Sequence, residues 1–152
     1  MATSRSTILV LYSRISVFLA TFIGPLLFLA MRYWIADIFW RSCRAKMQSW
    51  STTLMLFKNE YKVPCIPPET AAYLTVITEF VCPILLILGL ASRFATIPML
   101  IVTAVIQFTY LQSHEHFYWA VFLGLILCYG PGPLSIDYFI RKRFDKNKPK
   151  LD

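Results

Sequence analysis

Charge is what this chain of 152 residues has least of: 15% of it is Asp, Glu, Lys or Arg, against 57% apolar residues. A soluble domain carries about 25% charged residues, because a water-facing surface of this size has to be polar. Much of this surface therefore faces something other than water. Disorder is excluded as well, since it requires low hydrophobicity. Acidic residues are scarcest, 8 against 15 basic ones, for a net charge of +7. Such an excess can signal nucleic acid, but residues 141–152 (RKRFDKNKPKLD) hold six of the basic residues and a net +4. A basic tail on an apolar chain reads as an orientation signal in a membrane protein and as a contact for anionic lipid, not as a nucleic-acid surface.

Further absences narrow the chemistry. The 4 cysteines (Cys43, Cys65, Cys82, Cys128) form no Cys-x-x-Cys pair and no zinc or iron–sulfur spacing. Cys82 and Cys128 fall inside apolar segments, where cysteine acts as a small hydrophobe. Cys65 sits in a polar segment and is the one placed to react; a Cys43–Cys65 pair stays open. No phosphate-cradling glycine loop, nucleotide fingerprint or nucleophile–base constellation is present.

What is present is a set of long apolar runs. A crossing needs about 20 apolar residues, and the chain has room for four, predicting an all-α integral membrane four-helix bundle. Residues 8–40 are apolar apart from Arg14, Arg32 and Asp37, too long for one crossing of about 30 Å. Gly24-Pro25 offers a helix start, so residues 1–21 are read as an N-terminal interfacial segment and the first span as about 22–44. Residues 46–69 form the one substantial loop, where Pro64, Pro67 and Pro68 forbid a continuous helix. Further spans are expected at about 70–90, 94–111 and 116–129, the last so short that it starts nearer Gln112 or the bilayer is thin locally. A short interfacial helix follows over about 134–144, with Ser135 or Asp137 near its start. The membrane domain thus covers 22–140, and 141–152 form the tail.

Four spans put both termini on one face together with the loop at 91–93. That face holds nine Lys or Arg (Arg5, Arg14, Arg93 and six in the tail), and the other holds five: Arg41, Arg44, Lys46, Lys58 and Lys62. The excess predicts cytoplasmic termini.

Several stretches resemble the DoxX family of membrane proteins. Arg32-Tyr-Trp-Ile-Ala-Asp-Ile-Phe39-Trp40-Arg41-Ser42-Cys43-Arg-Ala-Lys46 is similar to that family's first-helix signature, an aromatic-rich stretch with Ser-Gly followed by Lys. The likeness continues in Glu60-Tyr61-Lys62-Val63-Pro64, Pro67-Pro68, Thr78-Glu79-Phe80, Pro83 to Arg93, His116-x-x-Trp119 and Gly130-Pro-Gly132-Pro. Cys43 stands where the family usually has Gly, adding bulk where a helix could approach closely. The resemblance implies a four-helix protein of the bacterial cytoplasmic membrane, and a small accessory subunit of a quinone-linked redox or metal/thiol-stress assembly. Its partner would be another membrane or soluble subunit. Any enzymatic role would be as a subunit of a quinone-linked oxidoreductase.

Glu79 lies about 14 Å into its span at 1.5 Å per residue. A charged group there costs about 2.5–3.5 kcal/mol on insertion scales, so it is expected to be protonated or paired. Its candidate partners are Arg32, Arg41 and Lys46. On a helical wheel Arg32, Phe39 and Lys46 share one stripe, while Asp37, Arg41 and Arg44 share another, with Asp37–Arg41 spaced for an intrahelical pair. One reading is a pocket in which Arg41 or Lys46 binds a quinone oxygen and Glu79 exchanges a proton, with Trp40, Arg32 and Ser42 lining it. The alternative is a non-enzymatic anchor or assembly partner in which the polar cluster only clamps helices together. A third possibility is a metal-handling or transport protein. His116 is its weak candidate ligand, since His114 and His116 at i,i+2 do not share a helical face, with Cys65 or Glu60 of the same-side loop available to complete a site.

Overall fold

The computed structural model describes residues 2–61, 63, 66–110 and 112–145. Cys65, Pro64 and Lys62, singled out above, lie outside the described residues, as do residues 146–152 of the tail. Every regular element among the described residues is helical.

The first helix is far longer than expected. Helix α1 (Ala2–Phe18) passes through a π-helical turn (Leu19–Ile23) straight into α2 (Gly24–Gln48). Gly24-Pro25 does open α2, but α1 runs into it without a break. The Gly24 N–H bonds back five residues to the Leu19 carbonyl. Pro25 has no N–H to return to Thr21, and the widened turn just ahead of it absorbs that mismatch. The apolar part, Val10–Gln48, is 39 residues, or about 58 Å at 1.5 Å per residue.

The polar segment that follows is also helical, which corrects its reading as a loop. Helix α3 (Trp50–Leu56) runs into a second π-helical turn (Phe57–Tyr61). Leu54, Phe57 and Tyr61 fall on one face, and Phe57 and Tyr61 bury themselves against Ala71 and Ala72. The prolines act only later: Pro67 precedes α4 (Pro68–Leu88) and Pro68 occupies its first turn. Gly89, left-handed at φ 69°, ends α4, with the Gly89 and Leu90 N–H groups returning to the Leu86 and Leu85 carbonyls. Helix α5 (Ser92–Thr109) follows at once, α6 (His114–Tyr129) starts on a Ser113 cap, and α7 (Ile136–Asp145) closes the described chain. The Ser135 hydroxyl accepts the Tyr138 N–H and so caps α7.

Helices α2, α4, α5 and α6 form the bundle. Its core joins Ile35 and Phe39 of α2, Cys82 and Leu86 of α4, Met99 and Val102 of α5, and Leu123 and Ile126 of α6. The outer faces are apolar too: Leu26, Leu74, Ile77, Ile101, Phe108 and Val121 are all exposed. A bundle greasy inside and out is built for lipid. Val10–Gln48, Pro68–Leu88 and Ser92–Thr109 have the length and apolarity to cross a membrane. The fourth member, α6, has 16 residues and reaches about 24 Å.

Candidate functional site

Two buried polar centres sit at opposite ends of α2. The first lies where α2 crosses α4. Arg32, Ile35, Ala36, Phe39 and Cys43 bury one stripe of α2, and the next position on that stripe, Lys46, reaches across to Glu79. The Lys46 ammonium lies 2.7 and 2.9 Å from the two carboxylate oxygens of Glu79. It also donates to the Ser42 hydroxyl at 2.6 Å, and that hydroxyl donates to Glu79 Oε1 at 3.1 Å. Glu79 is 1% exposed and the Lys46 side chain 13%. Burial of this carboxylate is compensated by an ammonium and a hydroxyl, which is the condition for keeping a charge inside a membrane bundle.

Small residues allow the approach. Ala36 and Cys43 are fully buried on the stripe of α2 that faces α4, and Cys43 Sγ lies 3.6 Å from the Val76 carbonyl oxygen. Cys43 is therefore accommodated, its thiol turned onto α4 backbone.

Lys46 also forms part of the wall of a cleft of about 150 Å³ between α4, α5 and the second π-helical turn. The rest of the wall is apolar or weakly polar, including Phe57, Tyr61, Thr75, Thr78, Ile101 and Val102. The α3 segment holds it in place: the Thr53 hydroxyl donates to the Lys46 carbonyl at 3.0 Å, and Tyr61 packs on Phe57 and Tyr110. Burial pushes the Tyr61 phenol up to about 12, and Tyr110, Glu79 and Glu60 add in the same direction. Tyr61 enters the sequence reading only through the resemblance and Thr53 not at all; the i, i+3, i+7 spacing of Leu54, Phe57 and Tyr61 is the signal for the buried face.

Of the expected site residues, the structure brings together Glu79, Lys46 and Ser42. Arg41 is not among them. Its side chain is 77% exposed and pairs with Asp37 on the outer face of α2. Trp40 stacks on Phe80 with ring centroids 5.3 Å apart, lining a shallow outer groove with Tyr33 and Asp37. Arg32 belongs to the second centre. It is 1% exposed, and its Nη2 donates to the Leu134 carbonyl. His116 is buried with Nδ1 2.7 Å from the Gln107 side-chain oxygen and its ring edge-on to Trp119. No cluster of three metal-ligating side chains occurs among the described residues.

At the second centre Arg32 packs against Gly89 and Ser135, where a glycine Cβ would collide with its Nη1. Its Nε and Nη1 find no hydrogen-bond partner among the described residues. Asp137 of α7 accepts the Ala91 and Ser92 N–H groups at 2.7 and 2.9 Å, and its own N–H donates to the Gly89 carbonyl at 2.9 Å. These contacts fasten α7 to the α4–α5 turn. They also place α7 at the end of the bundle where Gly89 closes α4.

Comparison with known families gives one finding of substance: a family model described as DoxX matches residues 27–112, more than half of the chain. No curated protein and no solved structure matches.

Proposed function

The chain belongs to the DoxX family of helical membrane proteins, and from that premise we propose that it is a small accessory subunit that holds a quinone head group beside Lys46 and manages its proton. The observation that carries this reading is the double placement of Lys46, which is paired with Glu79 and at the same time lines the apolar cleft. A lined apolar cavity of about 150 Å³ accepts a benzene-sized ring, so the cleft suits one ring whose oxygen meets an ammonium N–H. A bound quinone supplies two-electron, two-proton carriage. The protein's own part is narrower. Lys46 binds and orients the ring oxygen, Ser42 fixes Lys46, and Glu79 takes up or releases a proton through the hydrogen bonds that join them. Phe57, Tyr61 and Ile101 exclude water from the head group.

Electrons come from a second, membrane or soluble, subunit. The setting is the bacterial cytoplasmic membrane with the termini inside. The clustering of Arg93, Arg141, Lys142 and Arg143 at one end of the bundle supports that orientation.

A second reading, a non-enzymatic anchor, is favoured by one specific fact: the Lys46 ammonium already has Glu79 and Ser42 as partners inside the protein. Organic extraction of the purified chain, with bound quinone quantified, separates the two. The first reading expects quinone in the wild type and its loss in Lys46→Met with the fold intact. Wild-type protein free of quinone after purification from quinone-replete membranes sinks that reading and leaves the clamp.

A further inference from the structure

The second polar centre opens onto a cleft of about 460 Å³ at the corner where the α4–α5 turn, the Gly130–Pro133 loop and α7 converge. Its lining includes Arg93, Arg141, Asp137, Tyr129, Tyr138 and Phe94. Arg93 and Arg141 are exposed and make no ion pair among the described residues. Asp137, the one carboxylate among the described lining residues, is already committed, both its oxygens accepting backbone N–H groups from Ala91 and Ser92. Arg32 lies behind Ser135, outside the cleft lining, with its Nε and Nη1 lacking hydrogen-bond partners among the described residues. Two guanidiniums thus line a space whose described carboxylate is committed to backbone N–H groups.

The surroundings are interfacial. Helix α7 exposes Phe139, Ile140 and Phe144 beside Arg141, Lys142 and Arg143, the composition of a helix lying at a membrane surface. Phe94 and Tyr129, at the first and last turns of α5 and α6, are also exposed beside the cleft. An aromatic rim with a cationic floor fits a ligand that is apolar at one end and anionic at the other.

We propose that this corner binds the phosphate of an anionic phospholipid, with Arg93 and Arg141 gripping the headgroup and Phe94 and Tyr129 meeting its acyl chains. The Gly130 backbone lies under the Arg93 guanidinium, where an added Cβ would come within 3.5 Å of Nε and Nη2. That packing sets the fork at the cleft wall, and a guanidinium fork matches two phosphate oxygens. Asp137, by tying α7 to the α4–α5 turn, holds the two arginines on one cleft.

The test uses the full chain in an uncharged detergent, titrated with phosphatidylglycerol or phosphatidylcholine, with bound lipid counted by native mass spectrometry. Phosphatidylglycerol is expected to be retained over phosphatidylcholine. Arg93→Gln and Arg141→Gln should each weaken it about fivefold, the ratio for one basic residue at an anionic surface. The pair Lys142→Gln/Arg143→Gln, outside the cleft lining, should weaken it less than either cleft variant does. Equal retention of the two lipids overturns the proposal, as does an equal loss in the Lys142/Arg143 pair. Displacement of the lipid by equimolar inorganic phosphate would show a site for a soluble anion and also overturns it. Should the Gln variants fail to melt cooperatively, Arg93→Lys/Arg141→Lys keeps the charge and removes the fork: weakened binding supports the assignment, and unchanged binding refutes it.

Discussion

Lys46 and Glu79 meet across the α2–α4 interface with the ammonium 2.7 Å from one carboxylate oxygen and 2.9 Å from the other. Removing one member of such a buried pair strands the other, at a cost of about 3–5 kcal/mol. Lys46→Met should therefore lower the melting temperature in detergent markedly. The double variant Lys46→Met/Glu79→Gln should lose less than the two single variants together, because no charge is left stranded. Ser42→Ala removes one hydrogen bond and should cost about 1 kcal/mol. Additive losses in the double variant would show that the pair is not coupled.

The wheel geometry of α2 was legible before any coordinates. Arg32, Phe39 and Lys46 do share the inward stripe, and Asp37 and Arg41 do pair along the helix. Which basic residue meets Glu79 is not legible, because it depends on the register between α2 and α4, set where Cys43 packs on the α4 backbone at Val76. The α3 helix is masked in the sequence by Pro64, Pro67 and Pro68, which forbid a helix only beyond Tyr61. The continuity of α1 with α2 rests on a π-helical turn, which leaves no periodic mark in the sequence.

Arg41 provides the contrast to Lys46. Its side chain is largely in the open and its partner Asp37 is on the same helix face. Arg41→Gln should leave any bound quinone unchanged. A loss of quinone in this variant alone would move the head-group site to the outer groove beside Trp40.

Two glycines should respond to alanine with opposite signs. Gly89 has φ 69°, and an added Cβ would come within 2.9 Å of Ser135 Cα and overlap the Arg32 guanidinium. Gly124 sits in α6 with nothing within 4 Å of an added Cβ. Gly124→Ala should stabilise by up to about 1 kcal/mol through helix propensity. Gly89→Ala should destabilise by more than the roughly 1 kcal/mol of left-handed strain, because Arg32 and α7 must also shift. Thermal melts of the two variants side by side measure this, and a tolerated Gly89→Ala would show that the Arg32 packing is loose.

Tyr61 gives a pH test outside the spans. Its phenol is pushed up to about 12, first by burial and then by Tyr110, Glu79 and Glu60, while an unfolded tyrosine titrates near 10. The folded state therefore favours the neutral phenol. That preference contributes its full stability below about pH 10 and loses it as the pH rises toward about 12, with a swing of about 2–3 kcal/mol for a shift of this size. Wild-type protein should lose melting temperature over that window more steeply than Tyr61→Phe, which has no phenol to ionise. Phenolate absorbance should show one late-titrating tyrosine in the wild type that is absent from the variant. Parallel alkaline melting of the two proteins would place the Tyr61 hydroxyl in contact with water, and the wall of the Lys46 cleft would then be open at that side.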